Sequence, residues 1–130
     1  MQATREEFTA AVSPILLDLE TVGPGLLGVA LEPESSEMQA VLFERDGSGT
    51  GVWLRPGLSV AEATVELASE YDEVFSEAAW AVTGNGTWPE CPRDVGGPPM
   101  MPALVDGVAV WTCWDCGLAT PIGQLKSILP

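Results

Sequence analysis

Apolar residues recur at helical spacing in the first stretch, TREEFTAAVSPILLDLE, where Phe8, Val12, Ile15 and Leu19 fall three or four apart. Glu6 and Glu7 stand near its start, where carboxylates suit the exposed amides. Pro14 lies inside the pattern. It lacks an amide donor and its ring clashes with the preceding turn, so the pattern predicts a kinked helix or two short ones. TVGPG then breaks the chain, and beyond it the period falls to two. LLGVALE is rich in strand formers. MQAVLFE alternates, with Met38, Ala40 and Leu42 on one side and Gln39, Val41 and Phe43 on the other. GVWLRPG is a return strand stopped at Pro56. PESSE supplies one turn and Asp46-Gly47 the other, giving an antiparallel meander too small to stand without cover.

The expected cover is LSVAEATVELASEYDEVFSEAAWAV. Ser59 followed by Glu62 is a capping box, and Ala61, Val65, Ala68, Tyr71 or Asp72, Phe75 and Ala79 trace a face. The spacing predicts one helix from Ser59 to Trp80, ended by TGNGTWPE. Glu62, Glu66, Glu70, Glu73 and Glu77 fall three or four apart on it, with no lysine or arginine among them. Like charges so placed oppose the helix by a few tenths of a kcal/mol per pair, roughly. Two readings stand: a solvated face, or a ridge turned to a basic partner.

The last quarter changes character again. Cys91-Pro-Arg-Asp94 leads through glycines and prolines to MMPALV; Asp106-Gly107 makes a tight turn; VAVWT alternates as a strand; Cys113-Trp-Asp-Cys116-Gly117 follows. Knuckle, hairpin, knuckle is the order of a zinc ribbon. In C-x-x-C-G two thiolates converge on one ion, and the glycine permits the left-handed turn that brings backbone amides onto the sulfurs. A closed structural site takes four ligands, and the chain has three cysteines and no histidine. Asp94, three residues after Cys91, is the candidate fourth ligand to a zinc held by Cys91, Cys113 and Cys116; Asp115, inside the second knuckle, ranks below it. Two other readings of the cysteines remain: a redox pair, or three reduced thiols packed as small hydrophobes. Of the tryptophans nearby, Trp111 fits a packed strand position, while Trp114 sits at a knuckle tip, exposed for a protein contact.

Composition narrows the function classes. Nineteen acidic residues face five basic ones, a formal charge of -14. Such a surface repels nucleic-acid phosphates and anionic membranes and attracts basic proteins or cations. No apolar run approaches the twenty or so residues of a membrane span, and no secretory leader pattern is visible, so a cytoplasmic protein is expected, where disulfides are disfavoured. No H-E-x-x-H or deaminase signature occurs, a serine nucleophile has no histidine to call on, and GPG and GSGTG lack the lysine of a phosphate loop. A catalytic metal would need three cysteines plus a water, with Asp94 or Asp115 as base.

VWLRPG at 52–57, the acidic-faced helix after it, TWPECPRD at 87–94, DGVAVWTC at 106–113 and PIGQL at 121–125 give the chain a resemblance from about residue 26 onward. It resembles a family of small uncharacterised proteins of high-GC Gram-positive bacteria and their phages. The resemblance implies no reaction. It implies a C-P-x-H knuckle with a second histidine shortly after; here Asp94 and Pro98 stand at those positions. The acidic excess also brings in a phage-borne inhibitor of a host nuclease or defence protein.

The expectation is therefore an α+β protein: a helix/antiparallel-sheet core over residues 1–84, and a zinc-ribbon-like module over 85–130 packed on or tethered to it. The expected role is a small acidic adaptor or inhibitor docking on a basic protein surface through the five glutamates and Trp114. The alternatives are a DNA-mimic inhibitor, which needs those glutamates joined with Asp18, Glu20 and Asp72 in one field, and a metal-dependent enzyme.

Overall fold

The computed structural model describes residues 3–33, 35–84 and 86–129. Its first helix, α1 (Arg5–Leu19), opens with a reciprocal cap that T-x-x-E encodes: Thr4 Oγ1 accepts the Glu7 N–H and the Glu7 carboxylate accepts the Thr4 N–H. Phe8, Ala11, Val12, Ile15 and Leu19 are buried, as their spacing predicts. Pro14 does not divide the helix. α1 runs through it as one element, and the ring lies close to Gly123, where a Cβ would come within 3.0 Å of the Pro14 Cβ. The proline is a packing surface for the C-terminal segment.

β1 (Leu27–Leu31), β2 (Ala40–Glu44) and β3 (Gly49–Val52) form the first antiparallel sheet in sequence order. Its inner face carries Ala40, Leu42 and Val52, with Leu54 buried beyond; the return strand stops at Val52, before Pro56. The chain past β3 is held differently. Gln39 reaches out as a buried amide, its Oε1 accepting the Leu54 N–H and its Nε2 donating to the Ala3 carbonyl. That exchange satisfies backbone groups that no neighbouring strand reaches.

The expected single helix is two: α2 (Val60–Glu70) and α3 (Asp72–Thr83). Tyr71 leaves helical geometry between them, at φ -114°, ψ 27°. Its phenol accepts the Trp53 N–H and donates to the Trp53 carbonyl, fastening the break to the end of β3. Asp72 and Glu73 then stand in the first turn of a new helix, where negative charge is favourable. The Ser59/Glu62 box is formed as the sequence predicts. The buried stripe is shifted from the expected one. It runs through Ala63, Thr64, Leu67 and Ala68, then Val74, Phe75, Ala78 and Ala79, leaving Ala61 and Val65 half-buried at its margin.

β4 (Met101–Val105), β5 (Val108–Thr112) and β6 (Ala119–Pro121) form a second antiparallel sheet, and a short 3-10 turn (Leu125–Ile128) follows. α2 packs closely on α1 and also on β4 and β5, a neighbour its sequence does not announce. Trp88, Cys91, Met100, Trp111, Cys113, Ile122 and Leu125 join Phe8, Leu42, Leu67 and Phe75 in one buried cluster. The fold is α+β, two small antiparallel sheets with flanking helices and a C-terminal zinc-ribbon-like hairpin.

Candidate metal centre

Two turns deliver the three cysteines. Cys91 precedes a turn in which the Asp94 N–H donates to the Cys91 carbonyl and the Gly97 N–H to the Asp94 carbonyl. Cys113 and Cys116 bracket the turn between β5 and β6, closed by Gly117 N–H to the Cys113 carbonyl at 2.7 Å and Cys113 N–H to the Leu118 carbonyl at 2.8 Å. Gly117 sits at φ +81°, the left-handed conformation expected of the residue after a second knuckle cysteine.

The hairpin folds these turns together. The three sulfurs lie within 4.8 Å of one another, Cys91 Sγ and Cys116 Sγ 3.5 Å apart, and none is in a disulfide. Cys91 and Cys113 are buried and Cys116 is exposed. Backbone amides aim at the sulfurs in both turns: that of Arg93 at Cys91, those of Cys116 and Asp115 at Cys113. The electrostatics of the two buried thiols diverge. Burial, then the adjoining sulfurs, pushes the Cys91 thiol up to about 11 against the pull of the Arg93 amide. The Cys116 and Asp115 amides hold the Cys113 thiol below its ordinary value. A cation among them would favour the thiolate form of each, since a nearby positive charge offsets the burial that disfavours it. A cluster of three cysteines able to coordinate a metal ion is therefore present.

Asp94 is placed beside this cluster but outside the group of mutually close ligand atoms. Its carboxyl hydrogen-bonds that of Asp115, which raises its pKa along with burial and the Asp115 charge. Among the described residues its Oδ2, shut away from solvent, has no hydrogen-bond partner, and it crowds Gly97, where a Cβ would fall 2.3 Å from it. The two candidate carboxylates of the two knuckles thus face each other. Trp111 is buried and stacks edge-to-face on Trp88, ring centres 5.5 Å apart; Trp114, at the knuckle tip, is 70% exposed.

The five glutamates do not form one equivalent ridge. The break at Tyr71 divides them three and two. Glu62 is engaged in the cap of α2, and Glu66 pairs with Arg55 at 2.9 Å. Glu70, Glu73 and Glu77 are exposed.

The sequence groups Asp18 with surface acids, and the structure corrects this. Asp18 is 1% exposed, and its carboxylate accepts the Trp111 indole N–H at 2.7 Å, the Gly123 N–H at 2.6 Å and the Leu125 N–H at 3.0 Å. Burial raises its pKa, and these three donors offset only part of the rise. Asp18 anchors the cysteine hairpin to α1. One signal of this lies in the sequence, because Ala11, Ile15, Asp18 and Val22 fall on one helical stripe.

No protein-family model matches the chain, and neither a curated protein nor a solved structure shows significant similarity to it. Among the described residues no helix is long and apolar enough to cross a membrane.

Proposed function

We propose that the protein is a small acidic adaptor or inhibitor that docks on a basic protein surface, its C-terminal hairpin pinned by one zinc ion. The observation that carries the docking role is the fate of its few cations. Of five basic residues, Arg5 donates to the Glu32 carbonyl, Arg45 to the Pro24 carbonyl, and Arg55 pairs with Glu66. Glu70, Glu73 and Glu77 are left to set the outward field of their helices. A surface of this sign steers positive partners and repels phosphates. Affinity capture followed by reconstitution from purified components tests it. A basic protein that binds in a salt-weakened 1:1 complex supports the reading; captured proteins that fail to bind once purified sink it.

Zinc is the ion that suits the cluster. Zinc–sulfur bonds of about 2.3 Å in a tetrahedron set sulfurs about 3.8 Å apart, in keeping with the observed grouping. Asp94 is the candidate for the fourth position, its buried Oδ2 having no hydrogen-bond partner among the described residues. The DNA-mimic alternative draws less support, because Asp18 is buried and Glu62 and Glu66 are committed locally. The enzyme alternative would need an open metal position in a cleft. The apolar cavity of about 90 Å³ between Phe75, Trp88, Met100 and Trp111 has none of the three cysteines in its wall.

A further inference from the structure

The outer face of the first sheet is built unlike a solvated one. A sheet with one face on a core ordinarily turns polar side chains to water on the other. Here the cross-strand register sets Phe43 between Gly28 and Gly49, and Val41 between Ala30 and Gly51. Opposed residues share a face, so this one carries three glycines, an alanine, a valine and a phenylalanine. The long side chains lie over the bare strand: a Cβ on Gly49 would come within 2.9 Å of Val41 and 3.1 Å of Phe43, and one on Gly51 within 3.1 Å of the Met38 sulfur. Phe43 is 41% exposed and Trp53, just past the end of β3, 45%. Glycine weakens a strand and often marks a place where another surface comes close.

Resting on the docking role proposed above, we infer that this face is the docking surface, and that its occupant is a protein presenting an apolar knob ringed by lysine or arginine. The knob packs against the exposed Met38, Phe43 and Trp53 side chains, beside Gly28, where a Cβ would meet nothing within 4 Å. The ring follows from the rim: Glu32 and Glu37 flank the strands at one end, Glu44 and Asp46 at the other. Arg45, the cation nearest that second end, has its guanidinium on the Pro24 carbonyl. A second copy of the chain is disfavoured by the same charges, since each copy brings a formal -14 to the contact.

Two short peptides of equal positive charge test this, one alternating lysine with valine and phenylalanine, the other alternating lysine with serine. Each is titrated into the full chain while backbone amide shifts are followed. The expected result is that the apolar peptide binds about tenfold tighter or more and shifts Gly28, Val41, Phe43, Gly49 and Gly51. Phe43→Ser and, independently, Trp53→Ser then bring its affinity down to that of the serine peptide, without loss of fold. Equal binding of the two peptides, or shifts centred on Glu70, Glu73, Glu77 or Trp114, overturns the assignment of this face and leaves the acidic docking role standing. Failure of both peptides to bind at low salt removes the docking role and this inference together. A concentration-dependent dimer in sedimentation that Phe43→Ser abolishes makes a second copy the occupant, and overturns the inference too.

Discussion

The two sheets have the same strand number, the same antiparallel order and the same Asp-Gly dipeptide in one of their turns, yet they are held by different forces. The first is fixed by alternation: Ala40, Leu42 and Val52 go inward, and burial of that face sets the register. The second also buries Val110 and Trp111 in the shared core, but its strands show little clean alternation, and it leans in addition on the three-cysteine cluster and on the Asp18 carboxylate. The turns differ likewise. Asp46-Gly47 sits in a four-residue loop, with the Asp46 carboxylate accepting the Ser48 N–H, while Asp106 and Gly107 are both left-handed and join β4 to β5 directly. A sheet held by apolar area tolerates the loss of any one contact. A sheet that leans on a few polar points as well is more sensitive to the loss of one of them.

The contrast breaks most visibly at the cysteine cluster. Purified protein should carry about one zinc per chain by elemental analysis, and Cys113→Ser should lose it. Chelation should then strip hydrogen-exchange protection from β4, β5 and β6 well before β1, β2 and β3. Equal loss in both sheets would contradict the contrast between them. A full zinc content in Cys113→Ser would remove the cluster as its cause.

The next effect is at Asp18. Asp18→Ala leaves three buried donors without an acceptor and should cost about 3 kcal/mol in denaturant unfolding. Its pH dependence has a definite sign. A carboxyl whose folded pKa is raised holds its proton more tightly in the native state. Its contribution is fully present below the unfolded value near 3.8 and declines as pH rises through the folded value. The cost of Asp18→Asn, which cannot ionise, should therefore be greater at pH 3 than at pH 7. The opposite trend would show that the three donors outweigh burial.

Smaller effects sharpen the contrast between the turns and faces. Gly107→Ala meets no atom within 4 Å, so its expected cost of about 1 kcal/mol is the strain of a left-handed backbone alone. Phe43→Ser, on the open face of the first sheet, should change stability by no more than about 0.5 kcal/mol. A larger loss would mean that Phe43 works for the fold and is not held ready for a partner.

The local rules are where sequence reading succeeds. The α1 stripe, the Ser59/Glu62 box, the two Asp-Gly turns and the C-x-x-C-G knuckle are set by neighbours within a few residues, so the chain states them directly. Trp111 buried and Trp114 exposed follow from the same local geometry. Reading fails where a distant group decides. Tyr71 ends α2 because its phenol finds the Trp53 backbone eighteen residues away. Pro14 leaves α1 whole and meets Gly123, and Asp18 is buried because Trp111, Gly123 and Leu125 arrive to satisfy it.

The α+β class, most element types and the residue kinds able to hold a metal are legible in the chain, because propensity, period and turn chemistry act over short range. The knuckle order already grouped Cys91 with Cys113 and Cys116, whereas the turn of Asp94 toward Asp115, the burial of Asp18 and the open sheet face emerged from the folded chain. Those outcomes depend on which surfaces come together when a single core closes, and apolar burial is not directional enough for local sequence to specify its partners.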